Sequence, residues 1–300
     1  MRKPIFLLAA CLILAAAVAR AAESSIIAPG AKLVPLAGGF EFTEGPAADA
    51  QGNVFFTDQP NDRIMEWSVD GKLSTFMKPC GRSNGLCFDA QGNLWACADE
   101  KNEMWRIDVT TKAKTVVIKN FEGKLLNGPN DVSLRPDGGL YFTDPYYPRP
   151  YWKRGPKEIE IEGVYYLAPD RKRLVRVVAD LSQPNGIIGT PDGKTLYVSD
   201  IRGGKTYAYD IQPDGTLAGK RLFCKLGSDG MTIDDQGNVY LTGHGVTVFN
   251  RQGRQIEHID VHEAWTGNIC FSGPKLQTLF ITASKHIYGL KMKVHGVGSQ

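Results

Sequence analysis

The chain has 300 residues, of which 42% are hydrophobic, with 35 Lys and Arg against 32 Asp and Glu. A net charge of +3 gives no support to a nucleic-acid or anionic-membrane partner. The apolar content suffices for a core, and an all-β fold of this length is compatible with one domain.

In chain order, Arg2 and Lys3 precede an apolar run from Ile5 to Ala19, and Ala19-Arg20-Ala21 follows as an A-x-A cleavage site. This pattern predicts a secretory leader over residues 1–21 and a secreted or periplasmic product. A lipoprotein reading centred on Cys11 fits less well, because the apolar run continues past it. Cleavage leaves residues 22–300 as a single domain. It also removes three cations, so basic and acidic residues balance at 32 each. No later stretch is apolar enough to span a bilayer, so no membrane partner is expected after cleavage.

AKLVPLAG (31–38) reads as a strand with no hairpin of its own. A repeated phrase follows: DAQGNVFFTD (49–58), DAQGNLWACAD (89–99), RPDGGLYFTD (135–144), TPDGKTLYVSD (190–200) and DDQGNVYLTG (234–243). GPKLQTLFITA (273–283) is a degraded sixth copy. The turn glycines, Gly52, Gly92, Gly138, Gly193 and Gly237, lie 40, 46, 55 and 44 residues apart. A short polar turn with glycine between two apolar runs is hairpin chemistry, because glycine adopts positive φ freely. Weaker second hairpins follow at 63–77, 103–118, 206–223 and 245–259. No window holds a 3.6-residue apolar period, so helices are not expected. Two hairpins per repeat of about 40–45 residues predict an all-β, six-bladed β-propeller with four-stranded blades. The last repeat lacks a fourth strand, and residues 31–38 would supply it and close the ring.

Eight residues before each turn glycine stand Glu44, Asn84, Asn130, Asn185 and Asp229; the sixth copy places Asn268 there, eight before Leu276. Any one of these could be a local turn residue. As a set all six carry a side-chain oxygen donor at the start of the strand that lines a propeller's channel, so they should ring one mouth. Such a ring, dry and unpaired, would be costly, and a bound cation relieves the cost. With oxygen donors only, Ca²⁺ is favoured, and Mg²⁺, Mn²⁺ or Zn²⁺ is compatible. Asp58, Asp99, Asp144, Asp200 and His244 end the second strands and should share that face. The long interval lies at PYYPRPYWKRGPKEIEIEG (145–163), which reads as a partial lid bearing Tyr146, Tyr147, Tyr151, Trp152, Lys153 and Arg154.

Five cysteines remain after the leader, without metal spacing. Cys87, Cys97 and Cys270 sit in apolar runs and read as small buried side chains; a bridge from Cys80 to Cys87 or Cys97 stays open. A Ser-His-Asp hydrolase fits poorly, since no G-x-S-x-G occurs and no histidine falls in the ring.

EGP (44–46), NGPND (127–131), SQPNG (182–186) and SDGM (228–231), set in six repeats, resemble the gluconolactonase family, which includes regucalcin. The resemblance spans the mature chain. It implies a hydrolase cleaving a small-molecule sugar lactone such as glucono-1,5-lactone, with one divalent cation. It implies metal ligands at Glu44, Asn185 and Asp229, and at Asn130 if this substrate-side residue also touches the metal. It makes Asp229 the general base. Asn84, Asn268 and Tyr147 are further substrate-binding candidates. Regucalcin-type members carry Arg where this chain has Gly128; Arg82, Lys153 or Arg154 could replace it. The alternatives are a lactonase or arylesterase for non-sugar lactones and a non-catalytic periplasmic binding propeller. The oligomeric state stays open.

Overall fold

The computed structural model describes residues 26–297. The predicted leader, with Cys11, lies outside the described residues. Six four-stranded antiparallel sheets form six blades. The innermost strands are Thr43–Ala48, Ser83–Phe88, Val132–Leu134, Pro184–Gly189, Met231–Ile233 and Thr266–Ser272. Each touches the next around the axis, and the last returns to the first. The sixth sheet is completed by Val34–Gly38, which pairs antiparallel with His286–Lys291. The expected closure by the N-terminal strand is therefore present, and it covers the outer edge of His286–Lys291.

The repeated phrase folds as its chemistry predicts. Asp49 Oδ1 accepts the backbone N–H groups of Gln51 and Asn53, both at 2.9 Å. Asp89 and Asp234 repeat the arrangement. In two blades the same carboxylate also anchors a ring in the strand beyond: Trp95 Nε1 donates to Asp89, and Tyr240 Oη donates to Asp234.

Second strands such as Val54–Asp58 and Leu140–Asp144 are buried along their whole length because both faces pack against neighbouring blades. Outer strands such as Leu73–Met77 are mostly exposed. The hydrophobic core is consequently divided into six clusters, one wedged between each pair of adjacent blades. The sixth, with Phe40, Phe56 and Phe280, seals the join between the last blade and the first. Among the described residues there is no α-helix, only a 3₁₀ turn at Gln59–Asn61, and no helix long and apolar enough to cross a membrane. All five described cysteines are free thiols, so neither possible Cys80 bridge forms.

Candidate active site

Five of the six predicted ring residues, Glu44, Asn84, Asn130, Asn185 and Asp229, line one pocket of about 240 Å³ at the channel mouth. The backbone explains their convergence. The residue after each ring position is Gly45, Gly85, Asp131, Gly186 or Gly230. A Cβ on Gly45 would stand 2.0 Å from the Asn84 carbonyl oxygen, and one on Gly186 2.8 Å from that of Asp229. The inner strands approach so closely here that this layer is mostly glycine.

Asn268 is the exception. Its N–H donates to Thr282 Oγ1 at 3.0 Å, just as Asp131 N–H meets Thr143 Oγ1 and Gly230 N–H meets Thr242 Oγ1. Asn268 thus belongs to the layer beneath the ring. It lines a larger cavity of about 400 Å³ running down the channel, and Gly267 takes the sixth ring position. The cause is a displaced bulge. In blade one the extra residue of the inner strand falls between Glu44 and Ala47, whereas in blade six it falls between Thr266 and Asn268. A count of eight therefore lands one residue too deep. Gly267 has its own use: a Cβ there would sit 2.9 Å from Glu44 Oε1. The missing side chain makes room for the carboxylate.

The pocket is a tight polar cluster. Asn185 Nδ2 donates to Asp229 Oδ1 at 2.8 Å and to Tyr147 Oη at 3.0 Å. Trp265 Nε1 donates to Asp229 Oδ2 at 2.6 Å, and the Gly45 N–H donates to Glu44 Oε2 at 3.0 Å. Burial, then repulsion from Asp229, holds the Glu44 carboxyl well above its usual range. Burial also lifts Asp229, to about 6, against the opposing bonds from Trp265 and Asn185. Two oxygens, Asn84 Oδ1 and Asn185 Oδ1, are buried without a hydrogen-bond partner.

These observations test whether a cation fits. Two mutually repelling carboxylates and two unpartnered amide oxygens form a hard, oxygen-only donor set, which suits a divalent cation of the Ca²⁺ or Mg²⁺ kind. Among the described residues no three His, Cys, Asp or Glu side chains form a metal cage. Amides are thus an essential part of this donor set.

The strand-end aspartates have a definite task. Asp58 accepts from the N–H groups of Glu41 and Phe42, Asp144 from those of Asn127 and Gly128, and Asp200 from those of Ser182 and Gln183. Each pair lies two or three residues before a ring residue, so each aspartate pins the segment that presents one. Blade two departs from this rule. Ala98, not Asp99, holds the ladder position opposite Ser83 that Asp58 holds opposite Thr43. The segment before Asn84 is pinned instead by Asp62, which accepts from Cys80 and Arg82 N–H groups. Asp99, one residue further on, gathers the loop of residues 145–162. Tyr151 Oη donates to it at 2.6 Å and Arg149 Nε at 3.1 Å, and Trp152 Nε1 donates to its main-chain oxygen at 2.7 Å. His244, exposed at the same face, contacts Trp265 edge-on.

The loop does overhang the mouth, and Tyr147 lines the pocket. None of the three cations proposed to stand in for the absent arginine at Gly128 does so. Arg82 stacks on Tyr151 and donates to the Pro60 carbonyl. Arg154 donates to the Leu126 and Asn127 carbonyls, and Lys153 is exposed away from the pocket lining. The cation in the pocket is Arg149. Sequence reasoning missed it, along with Trp265 and Asp131. Pro148-Arg149-Pro150 was the available signal for Arg149, since flanking prolines stiffen the backbone that presents a side chain. Asp131 was hidden by the glycines at its counterparts. Its buried carboxyl is pushed up to about 7.

Comparisons with known proteins agree with the fold. Residues 42–285 match the family described as SMP-30/Gluconolactonase/LRE-like region. The chain is 30% identical over 290 residues to a gluconolactonase of Zymomonas mobilis, covering 87% of this chain and 81% of that protein. The solved structure of a gluconolactonase from Xanthomonas campestris superposes with a TM-score of 0.82 at 30% identity, over 89% of this chain and 91% of that one. A calcium-binding regucalcin from Agrobacterium tumefaciens shares the fold, with a TM-score of 0.75 at 19% identity, covering 88% and 95%.

Proposed function

This chain belongs to the SMP-30/gluconolactonase/LRE-like family, and on that premise we propose that it is an enzyme that hydrolyses a sugar lactone such as glucono-1,5-lactone to the free acid with the help of one divalent cation. The observation that carries the reading is the donor set at the mouth: Glu44 opposite Asp229, with unpartnered oxygens on Asn84 and Asn185. Glu44, Asn185 and Asp229 would hold the cation, with Ca²⁺ the favoured occupant, and Asn130 would stand beside it toward the substrate. A divalent cation there supplies Lewis-acid polarisation of the lactone carbonyl.

The chain's own groups supply the rest. Asp229 accepts a proton from the attacking water, a task that a cation sharing both groups would ease by lowering the pKa of the water as well. Trp265 and Asn185 donate to its two oxygens and fix the plane of the carboxylate. As the ring C–O bond breaks, the proton passes to the departing ring oxygen, and a hydroxy acid results. Asn84 and Asn130 do not titrate and serve to orient water or substrate. Residues 1–21 are proposed to export the chain, so that it acts in the periplasm or outside the cell. N-terminal sequencing of the exported protein, expected to begin at Ala22, checks that point.

The experiment is acid release from glucono-1,5-lactone in a pH-stat, with and without EDTA, for the parent and for Asp229→Asn. Chelation is expected to abolish turnover and re-addition of Ca²⁺ to restore it. The variant is expected to lose roughly 10²–10⁴-fold, the usual worth of a general base. Binding of the lactone without acid release would make the protein a binding propeller. Undiminished activity in Asp229→Asn would remove Asp229 from its role.

A further inference from the structure

Arg149 has no counterpart in the ring, yet it is the cation that lines the pocket between Tyr147 and the carboxylates. Its guanidinium lies 5.4 Å from the centre of the Tyr147 ring. Two independent features of the fold put it there. The first is the register of blade two, where Ala98 replaces the pinning carboxylate and Asp62 takes over the work. That leaves Asp99, one residue on, to accept from Arg149 and Tyr151. The second is Gly128. A Cβ at that position would sit 2.9 Å from Asp99 Oδ1 and 3.1 Å from Trp152 Cζ2. The absence of a side chain at 128 is what allows the loop to settle on Asp99. The departure at Gly128 and the arrival of Arg149 are therefore two aspects of one arrangement.

We propose that Arg149 is a specificity-determining residue that binds ring hydroxyl groups of a polyhydroxylated lactone, and that Asp99 is the positioning residue that aims it. The proposal rests on the lactonase reading and names the feature of the substrate that the site selects. Arg149 Nε is engaged by Asp99, which leaves the four N–H groups of the terminal nitrogens for a ligand. A guanidinium fork matches a pair of neighbouring oxygens. The Asp99 carboxylate balances its charge, so the matching oxygens are neutral hydroxyls. Tyr147 lines the same pocket. Phe42, Ile201 and Trp265 add apolar wall against which a sugar ring can lie.

The test compares two substrates across the parent and three variants. Glucono-1,5-lactone carries the hydroxyls and δ-valerolactone lacks them. For Arg149→Gln, kcat/KM on glucono-1,5-lactone is expected to fall at least about 10-fold, mainly through KM, and to change less than about threefold on δ-valerolactone. Asp99→Asn is expected to show the same selective loss, smaller in size, at an unchanged circular-dichroism spectrum. Added guanidinium ion is expected to restore part of the loss in Arg149→Ala. Equal losses on both substrates, or no loss on either, would overturn the proposal. If the parent hydrolyses no lactone, the enzymatic reading fails by itself. Binding of 1,5-anhydroglucitol, followed by saturation-transfer NMR in the parent and in Arg149→Gln, then decides the present point. Weaker binding in the variant supports it, and equal binding overturns it.

Discussion

Asp144→Asn tests the physical basis of the segment that presents Asn130. Asp144 is fully buried and accepts the N–H groups of Asn127 at 2.9 Å and Gly128 at 2.8 Å. Burial outweighs those bonds and pushes its carboxyl up to about 7. An unfolded Asp titrates near ~3.9. The folded value is the higher one, so the folded protein binds the proton more tightly. Its stabilising contribution is complete below about pH 4 and is lost as pH rises through about 7. The difference of about three units corresponds to about 4 kcal/mol, of which about 3 kcal/mol is lost between about pH 5 and about pH 8.5. Asparagine does not titrate, so the substitution removes this slope. The new amide NH₂ also faces one of the two backbone N–H groups, at a cost of about 1–3 kcal/mol. That offset is common to both pH values and cancels in the comparison. Denaturant unfolding of parent and variant at the two pH values measures the change. The variant should gain about 3 kcal/mol relative to the parent on going to the higher pH, or roughly 6 °C in melting midpoint. A relative stability that stays constant to within about 1 kcal/mol would refute the reasoning.

Further predictions concern the pocket and the loop. Glu44→Gln removes one of two repelling carboxyls; chelated protein should be no less stable, while Ca²⁺ affinity measured by chelator competition should fall at least about 10-fold. Trp265→Phe deletes the donor to Asp229 Oδ2, a bond that favours the charged form, so the acid limb of the kcat/KM profile should move to higher pH. An unshifted limb would mean that Asp229 does not govern it. Gly128→Ala drives a methyl group into Asp99 and Trp152, so it should loosen the loop and raise its rate of proteolytic nicking at 145–162, with a global loss of only about 1 kcal/mol.

The propeller was legible because its signals are local and repeated. Asp-x-x-Gly-Asn and Pro-Asp-Gly turns fix five hairpins by bonds within a few residues, and a degraded copy marks the sixth. Counting from the turn also found Glu44, Asn84, Asn130, Asn185 and Asp229, because a hairpin of fixed length sets where its strand begins. The count failed at Asn268, where the bulge moves upstream, an event that depends on pairing with the Thr278–Ala283 strand. It also misjudged Asp99, whose offset from its counterparts appears only when Ser83 is seen opposite Ala98.

The amino-acid order by itself determined the blade, the number of blades and the oxygen-bearing side chains that open each inner strand, since these follow from turn chemistry and alternation along the chain. Only the tertiary structure decided which of those side chains share a pocket, that Trp265 clamps Asp229, and that Asp99 draws Arg149 over the mouth. Those contacts join residues from 36 to 50 positions apart. Their geometry is set by how blades pack around a common axis, which no local sequence pattern encodes.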